Sequence, residues 1–193
     1  MRKTILAIAL TTAGFAALPI ASHAADTGGF FINGNVGRSN LSKGPYDDSD
    51  TGFGANIGYR WALAPGMLLG VEGGYTDLGS FSPKSSVRDL GLGDAELKGW
   101  NLGVNGHFNV SDNWYVSGRT GFFRGDLKGD YLDAAALPVR VDDHANKWYA
   151  GAGFGYDFSN NASVGLNYDY YKAEKGGLSL DPDLVSVSGE YRF

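Results

Sequence analysis

Cysteine is absent from all 193 residues, which removes disulfide frameworks and thiolate metal centres at once. Histidine is nearly absent as well, with three in the chain, so most nucleophilic and metal chemistry lacks its usual side chains. Basic residues are in deficit: 16 Lys and Arg face 21 Asp and Glu, a formal net charge of −5. That balance disfavours nucleic acid as a partner. Long apolar runs are missing beyond the amino terminus, where a spanning helix would need roughly 20 apolar residues.

The amino terminus itself is distinctive. Arg2-Lys3 precedes an apolar run from Thr4 to Leu18 and then Ser22-His23-Ala24, with small residues at the two positions a signal peptidase reads. Residues 1–24 are therefore expected to be an export signal cleaved before Ala25, and residues 25–193 a single domain. Against the scarcities stands an excess of 30 Gly, 11 Tyr, 11 Phe and 4 Trp. Gly at about twice the average of roughly 7% fits strands whose neighbours approach closely.

A repeated unit organises the rest: about ten alternating residues, then a turn or loop. Eight such segments lie near Gly29 to Arg38, Thr51 to Trp61, Met67 to Thr76, Lys98 to Phe108, Trp114 to Arg124, Lys147 to Phe158, Ala162 to Tyr171 and Leu184 to Phe193. Connectors alternate in length. Ala62 to Gly66, Asn109 to Asn113 and Ser159 to Asn161 read as tight turns, whereas Ser39 to Asp50, Asp77 to Leu97, Gly125 to Asn146 and Lys172 to Asp183 read as long polar loops.

Each segment has one face suited to lipid. Phe53, Ala55, Ile57, Tyr59 and Trp61 share a face, as do Trp100, Leu102, Val104, Gly106 and Phe108. Aromatic residues bracket small and aliphatic ones, the arrangement of two interfacial girdles. The opposite face carries Asn33, Asn35, Arg60, Glu72, Asn101, Asn105, His107, Ser117, Arg119, Asp157, Asn167 and Asp169. An ionised side chain in the lipid midplane costs roughly 2 to 4 kcal/mol, so this face must line an interior. The pattern predicts an all-β fold, an eight-stranded antiparallel up-and-down transmembrane β-barrel with long loops extracellular and both termini periplasmic. Its lumen is expected to be packed with polar side chains and a few waters.

Gly52-Phe53-Gly54-Ala55 with Gly58-Tyr59, Gly70-Val71-Glu72-Gly73-Gly74-Tyr75, and the terminal Ser188-Gly189-Glu190-Tyr191-Arg192-Phe193 resemble a small OmpA-like eight-stranded outer-membrane barrel. The resemblance covers nearly the whole sequence after residue 24. It implies location in the bacterial outer membrane, and that Tyr191 and Phe193 form the signal read by the barrel-assembly machinery. Family members with a periplasmic peptidoglycan-binding domain continue past the barrel, whereas this sequence ends at Phe193, so no cell-wall tether is expected. The resemblance also implies an interior salt-bridge gate around the position of Glu72. Asn105 and Gly165 stand where its basic partners belong, so that gate is not carried over intact. Arg60, Arg119 and Arg192 are left to neutralise Glu72, Asp157, Asp169 and Glu190, as a static polar plug or as a switch.

Enzymatic readings have little support. His144 follows Asp142-Asp143, but no serine is placed beside it, and no cofactor is expected. Asp47-Asp48-Ser49-Asp50 lacks the spacing of a defined Ca²⁺ loop and reads as an exposed acidic tip. Two function classes remain. One is a structural or interaction barrel, monomeric, contacting outer-membrane lipid and lipopolysaccharide and displaying loops to an extracellular ligand. The other is a narrow ion channel or small-ligand-binding barrel.

Overall fold

The computed structural model describes residues 28–43, 46–82, 94–132, 138–158, 161–175 and 178–193. The expected signal at 1–24 and its cleavage site lie outside the described residues. Eight strands close into one antiparallel barrel: β1 Gly29–Lys43, β2 Tyr46–Ala64, β3 Met67–Phe81, β4 Ala95–Asn109, β5 Trp114–Leu132, β6 Pro138–Asp157, β7 Ala162–Tyr171 and β10 Asp183–Arg192. Two further strands, β8 Ala173–Lys175 and β9 Leu178–Leu180, pair only with each other. Each barrel strand pairs with its neighbour in the chain, and β1 pairs with β10 from Phe31↔Arg192 to Asn40↔Asp183. Closure leaves no sheet edge along the band that faces lipid, where an unsatisfied backbone group would cost several kcal/mol.

The lipid face is where alternation places it. Phe53, Ile57, Trp61, Trp100, Leu102, Val104, Trp114, Phe122, Trp148 and Phe154 all point out of the barrel, and Phe122 is 77% exposed. Gly106 is an exception: its outer surface is buried, because the Phe108 ring and Leu69 lie where a Cβ would stand.

The strands run much further than the sequence implies. Ser39 to Asp50, read as a loop, is a hairpin whose ladder continues from Ser39↔Asp50 to Lys43↔Tyr46. Gly125 to Asn146 is likewise a regular ladder up to Leu132↔Pro138. Asp77 to Leu97 is shortened by β3 reaching Phe81 and β4 starting at Ala95, with the register shifted between Asp77 and Ser80. Gly79 sits in that irregularity at φ 84°, a left-handed conformation that favours glycine. Lys172 to Asp183 contains the β8–β9 hairpin.

The reason is a reversal of sidedness. Past the girdle the outward residues become polar, as at Arg38, Arg124 and Asp126, while the inward ones become apolar. Leu41, Leu78, Phe81, Leu97, Phe123, Tyr171 and Leu184, from six strands, form an interior apolar layer, each at most 1% exposed. The lumen is thus not polar throughout, as the sequence leads one to expect. A polar layer fills the band between the girdles, and an apolar one fills the collar beyond it.

Candidate functional site

The polar layer is built by glycines as much as by charges. Arg119 on β5 and Asp169 on β7 both stand level with Gly151 on the intervening β6. With no side chain between them, the guanidinium reaches across and donates from Nε to Asp169 Oδ1 at 2.6 Å and from Nη2 to Oδ2 at 2.5 Å. A Cβ at Gly151 would sit 1.9 Å from Asp169 Oδ1, so only glycine permits this crossing. The same device recurs elsewhere. Arg60 and Asn105 flank Gly70, and Asn56 and Asn101 flank Gly74; Arg60 Nε donates to Asn105 Oδ1 at 2.5 Å and Asn101 Nδ2 to Asn56 Oδ1 at 2.8 Å.

All seven charged residues singled out in the sequence face the interior, and three pairs form. Arg60 grips Glu190 with both terminal nitrogens, at 2.5 and 3.0 Å. Arg119 holds Asp169, and Arg192 Nη2 donates to Asp157 Oδ1 at 2.9 Å. Arg192 Nε also lies 3.7 Å from Glu190 Oε1, linking two of the pairs. Bidentate Arg–carboxylate forks are suited to this burial, because they satisfy several donors and acceptors at once.

Glu72 is the odd member. Among the described residues no cation lies within ion-pair distance of it; its Oε1 accepts a hydrogen bond from Tyr149 Oη at 2.8 Å. Asn105 and Gly165 carry no charge, and Asn105 instead serves Arg60. Three guanidinium groups therefore stand among four carboxyl groups. His107 contributes at the short-turn end, where its Nε2 lies 3.1 Å from Asp157 Oδ2 and its ring stacks on Tyr115 at 4.0 Å. Asp157 also accepts from Ser163 Oγ at 2.6 Å. Between these groups remains a cavity of about 40 Å³, lined among others by Asn33, Glu72, Arg119 and Glu190.

Sequence reasoning passed over Tyr149, Phe31 and Ser163. Tyr149 was detectable in principle, since it alternates with outward Trp148 and Ala150 and so must point inward. Phe31 lies beneath the Arg60 guanidinium, 4.1 Å from ring centroid to Cζ.

In the collar, the acidic run from Asp47 to Asp50 has a specific task. Asp50 Oδ2 accepts the Ser80 N–H at 2.9 Å, and Asp48 Oδ2 accepts the Ser82 N–H at 3.0 Å, so two β2 carboxylates hold the bulged end of β3. The Ser82 amide holds the Asp48 carboxyl below its ordinary value, aided by the Ser49 amide and against a desolvation cost that acts the other way. The Asp47 and His144 side chains lie outside the described residues. At the other end, Tyr191 and Phe193 point outward with their rings edge to face at 5.1 Å, and Phe193 N donates to Phe30 O at 2.9 Å.

Comparison with known proteins agrees with this architecture. A family model described as outer membrane protein beta-barrel domain matches residues 7–193. Outer membrane protein A of Serratia marcescens is 27% identical across all of this chain and 56% of its own length. The 31 kDa outer-membrane immunogenic protein of Brucella melitensis is 28% identical over 78% of this chain and 65% of its own. The chain thus spans somewhat over half the length of the curated relatives it matches. Among solved structures, the attachment invasion locus protein Ail of Yersinia pestis superposes with a TM-score of 0.58 at 18% identity, covering 86% of this chain and 99% of that one. Neisserial surface protein A gives 0.54 at 12%, covering 85% and 97%. These two share the fold. With its residues matched almost from end to end, the chain belongs to the outer membrane protein β-barrel family and is a barrel of the bacterial outer membrane.

Proposed function

We propose that this protein is a structural and interaction barrel whose lumen does not conduct. The observation that carries the reading is the pair of stacked interior layers, one ion-paired and one apolar, with a cavity of about 40 Å³ between the polar side chains. Ions avoid a dry apolar constriction, and here that constriction is made by seven large side chains. The extended hairpins face the cell exterior and offer the recognition surface, to a ligand or to lipopolysaccharide, while the girdles sit in outer-membrane lipid. The barrel is monomeric and reaches the membrane by an export signal cleaved before Ala25. Tyr191 and Phe193 present the assembly signal. Catalysis has no part in this reading, since the Ser163 hydroxyl is spent on Asp157 rather than aimed at His107. Recording from the purified barrel in planar bilayers tests it. No unitary current is expected; a reproducible single-channel conductance would overturn the proposal.

A further inference from the structure

We propose that the β8–β9 hairpin is a lid that lies across the collar mouth and opens without unfolding the barrel. The β9 backbone runs close to both β1 and β5. In the barrel order β1-β10-β7-β6-β5-β4-β3-β2 those two strands are four places apart in a ring of eight, on opposite walls. Eight strands about 4.8 Å apart and tilted by about 40° enclose a backbone ring on the order of 16 Å across. A strand close to opposite walls of such a ring runs over its centre. β8 meanwhile rests on β6, so the hairpin bears on the walls at three places.

Its base is pinned where β7 ends. Tyr171 N donates to Pro182 O at 3.0 Å and Lys172 N to Trp148 O at 3.0 Å, closing the segment between them into a separate flap. Tyr171 and Leu184, at the foot of this flap, belong to the apolar layer. A mouth open to water would wet that layer from above.

The same features make the lid separable. Its ladder has three residue pairs, Ala173↔Leu180, Glu174↔Ser179 and Lys175↔Leu178, and it joins no barrel strand. Two-stranded hairpins are marginal by themselves, so this one is held by what it rests on. The barrel ladders below are closed and continuous. Local opening of the lid therefore has a lower cost than any opening of the wall.

Because the chain has no cysteine, a single introduced thiol reports access cleanly. In folded, detergent-solubilised protein, Leu41→Cys should react slowly with a hydrophilic maleimide. Changing Ala173, Glu174, Lys175, Leu178 and Leu180 together to Ser should speed that reaction at least about tenfold, with Arg124→Cys on the outer wall unchanged. Equal rates at Leu41→Cys in the two backgrounds would overturn the lid. Should the five-serine chain fail to give the heat-modifiable folded form, hydrogen exchange on the unaltered chain decides. The Glu174 and Ser179 amides should exchange at least about tenfold slower than unstructured chain yet faster than those of β1 and β5. Exchange at the unstructured rate, or in step with the barrel, would overturn it.

Discussion

The band between the girdles and the collar above it are made by the same strands with opposite polarity. Along β5 the outward residues Trp114, Val116 and Phe122 give way to Arg124 and Asp126, and the inward Ser117 and Arg119 give way to Phe123. The pleat never changes; the solvent outside does. In lipid the outer face must be apolar and charges are safest inside, where forked ion pairs compensate them. In water the ordinary rule returns and the apolar residues move to the core. One continuous sheet thereby carries two kinds of stabilisation, and the switch falls between adjacent residues.

The sharpest way to break this comparison is to disable each core on its own terms. Asp169→Ala strands the Arg119 guanidinium inside the band, and Phe123→Ala empties part of the apolar layer. Both are expected to cost about 3 to 5 kcal/mol, the first through an uncompensated buried charge and the second through lost transfer energy and a cavity. Equilibrium unfolding from lipid vesicles measures both. If the two cores are distinct, adding Arg119→Leu should recover much of the loss in Asp169→Ala and none of the loss in Phe123→Ala.

A smaller effect sharpens the boundary on the outer face. Leu102→Arg puts a charge in the lipid band, where about 2 to 4 kcal/mol is expected from depth alone. Lys98→Leu, four residues along the same face of β4, is expected to stay within about 0.5 kcal/mol because that position already meets water. Equal losses in the same unfolding assay would mean that the girdle at Trp100 does not mark the interface.

The smallest effect is a pH dependence confined to the collar. The Asp48 carboxyl is lowered from its reference value of 3.8 when folded, so its contact with the Ser82 amide is fully stabilising above that value. It weakens as pH falls through the lowered folded value, since protonation removes the anionic acceptor. Exchange at the Ser82 amide should rise in that acid window, and Asp48→Asn should flatten the change. A pH response that persists in Asp48→Asn would assign it to another group.

How much of this was visible in the sequence follows from the same reversal. Strand number, order and the lipid face were legible because period-two alternation with a fixed sense holds throughout the band. At Arg38 and Arg124 the sense flips while the period persists, and at Asp77 a bulge breaks the period as well; a pattern tied to one sense reads either change as the end of a strand. Arg60, Glu72, Arg119 and their fellows were recognisable as interior by parity alone. Their pairing was not, because it depends on which residues stand level across three strands. Gly70, Gly74 and Gly151 decide that, and their meaning emerges only once register is known.

The unbroken β5–β6 ladder has a consequence for reach. From Phe122↔Trp148 at the girdle it continues through residue 132, paired with Pro138. Ten residues at about 3.3 Å each, tilted by about 40°, rise on the order of 25 Å. The polar headgroup zone occupies only about 5 to 7 Å on each side of the hydrocarbon. The hairpin is therefore a stalk, and whatever meets its tip does so clear of the lipid surface, at a height set by hydrogen-bonded backbone. Substitutions at the tip alter what is met, with no leverage on the part that spans the membrane.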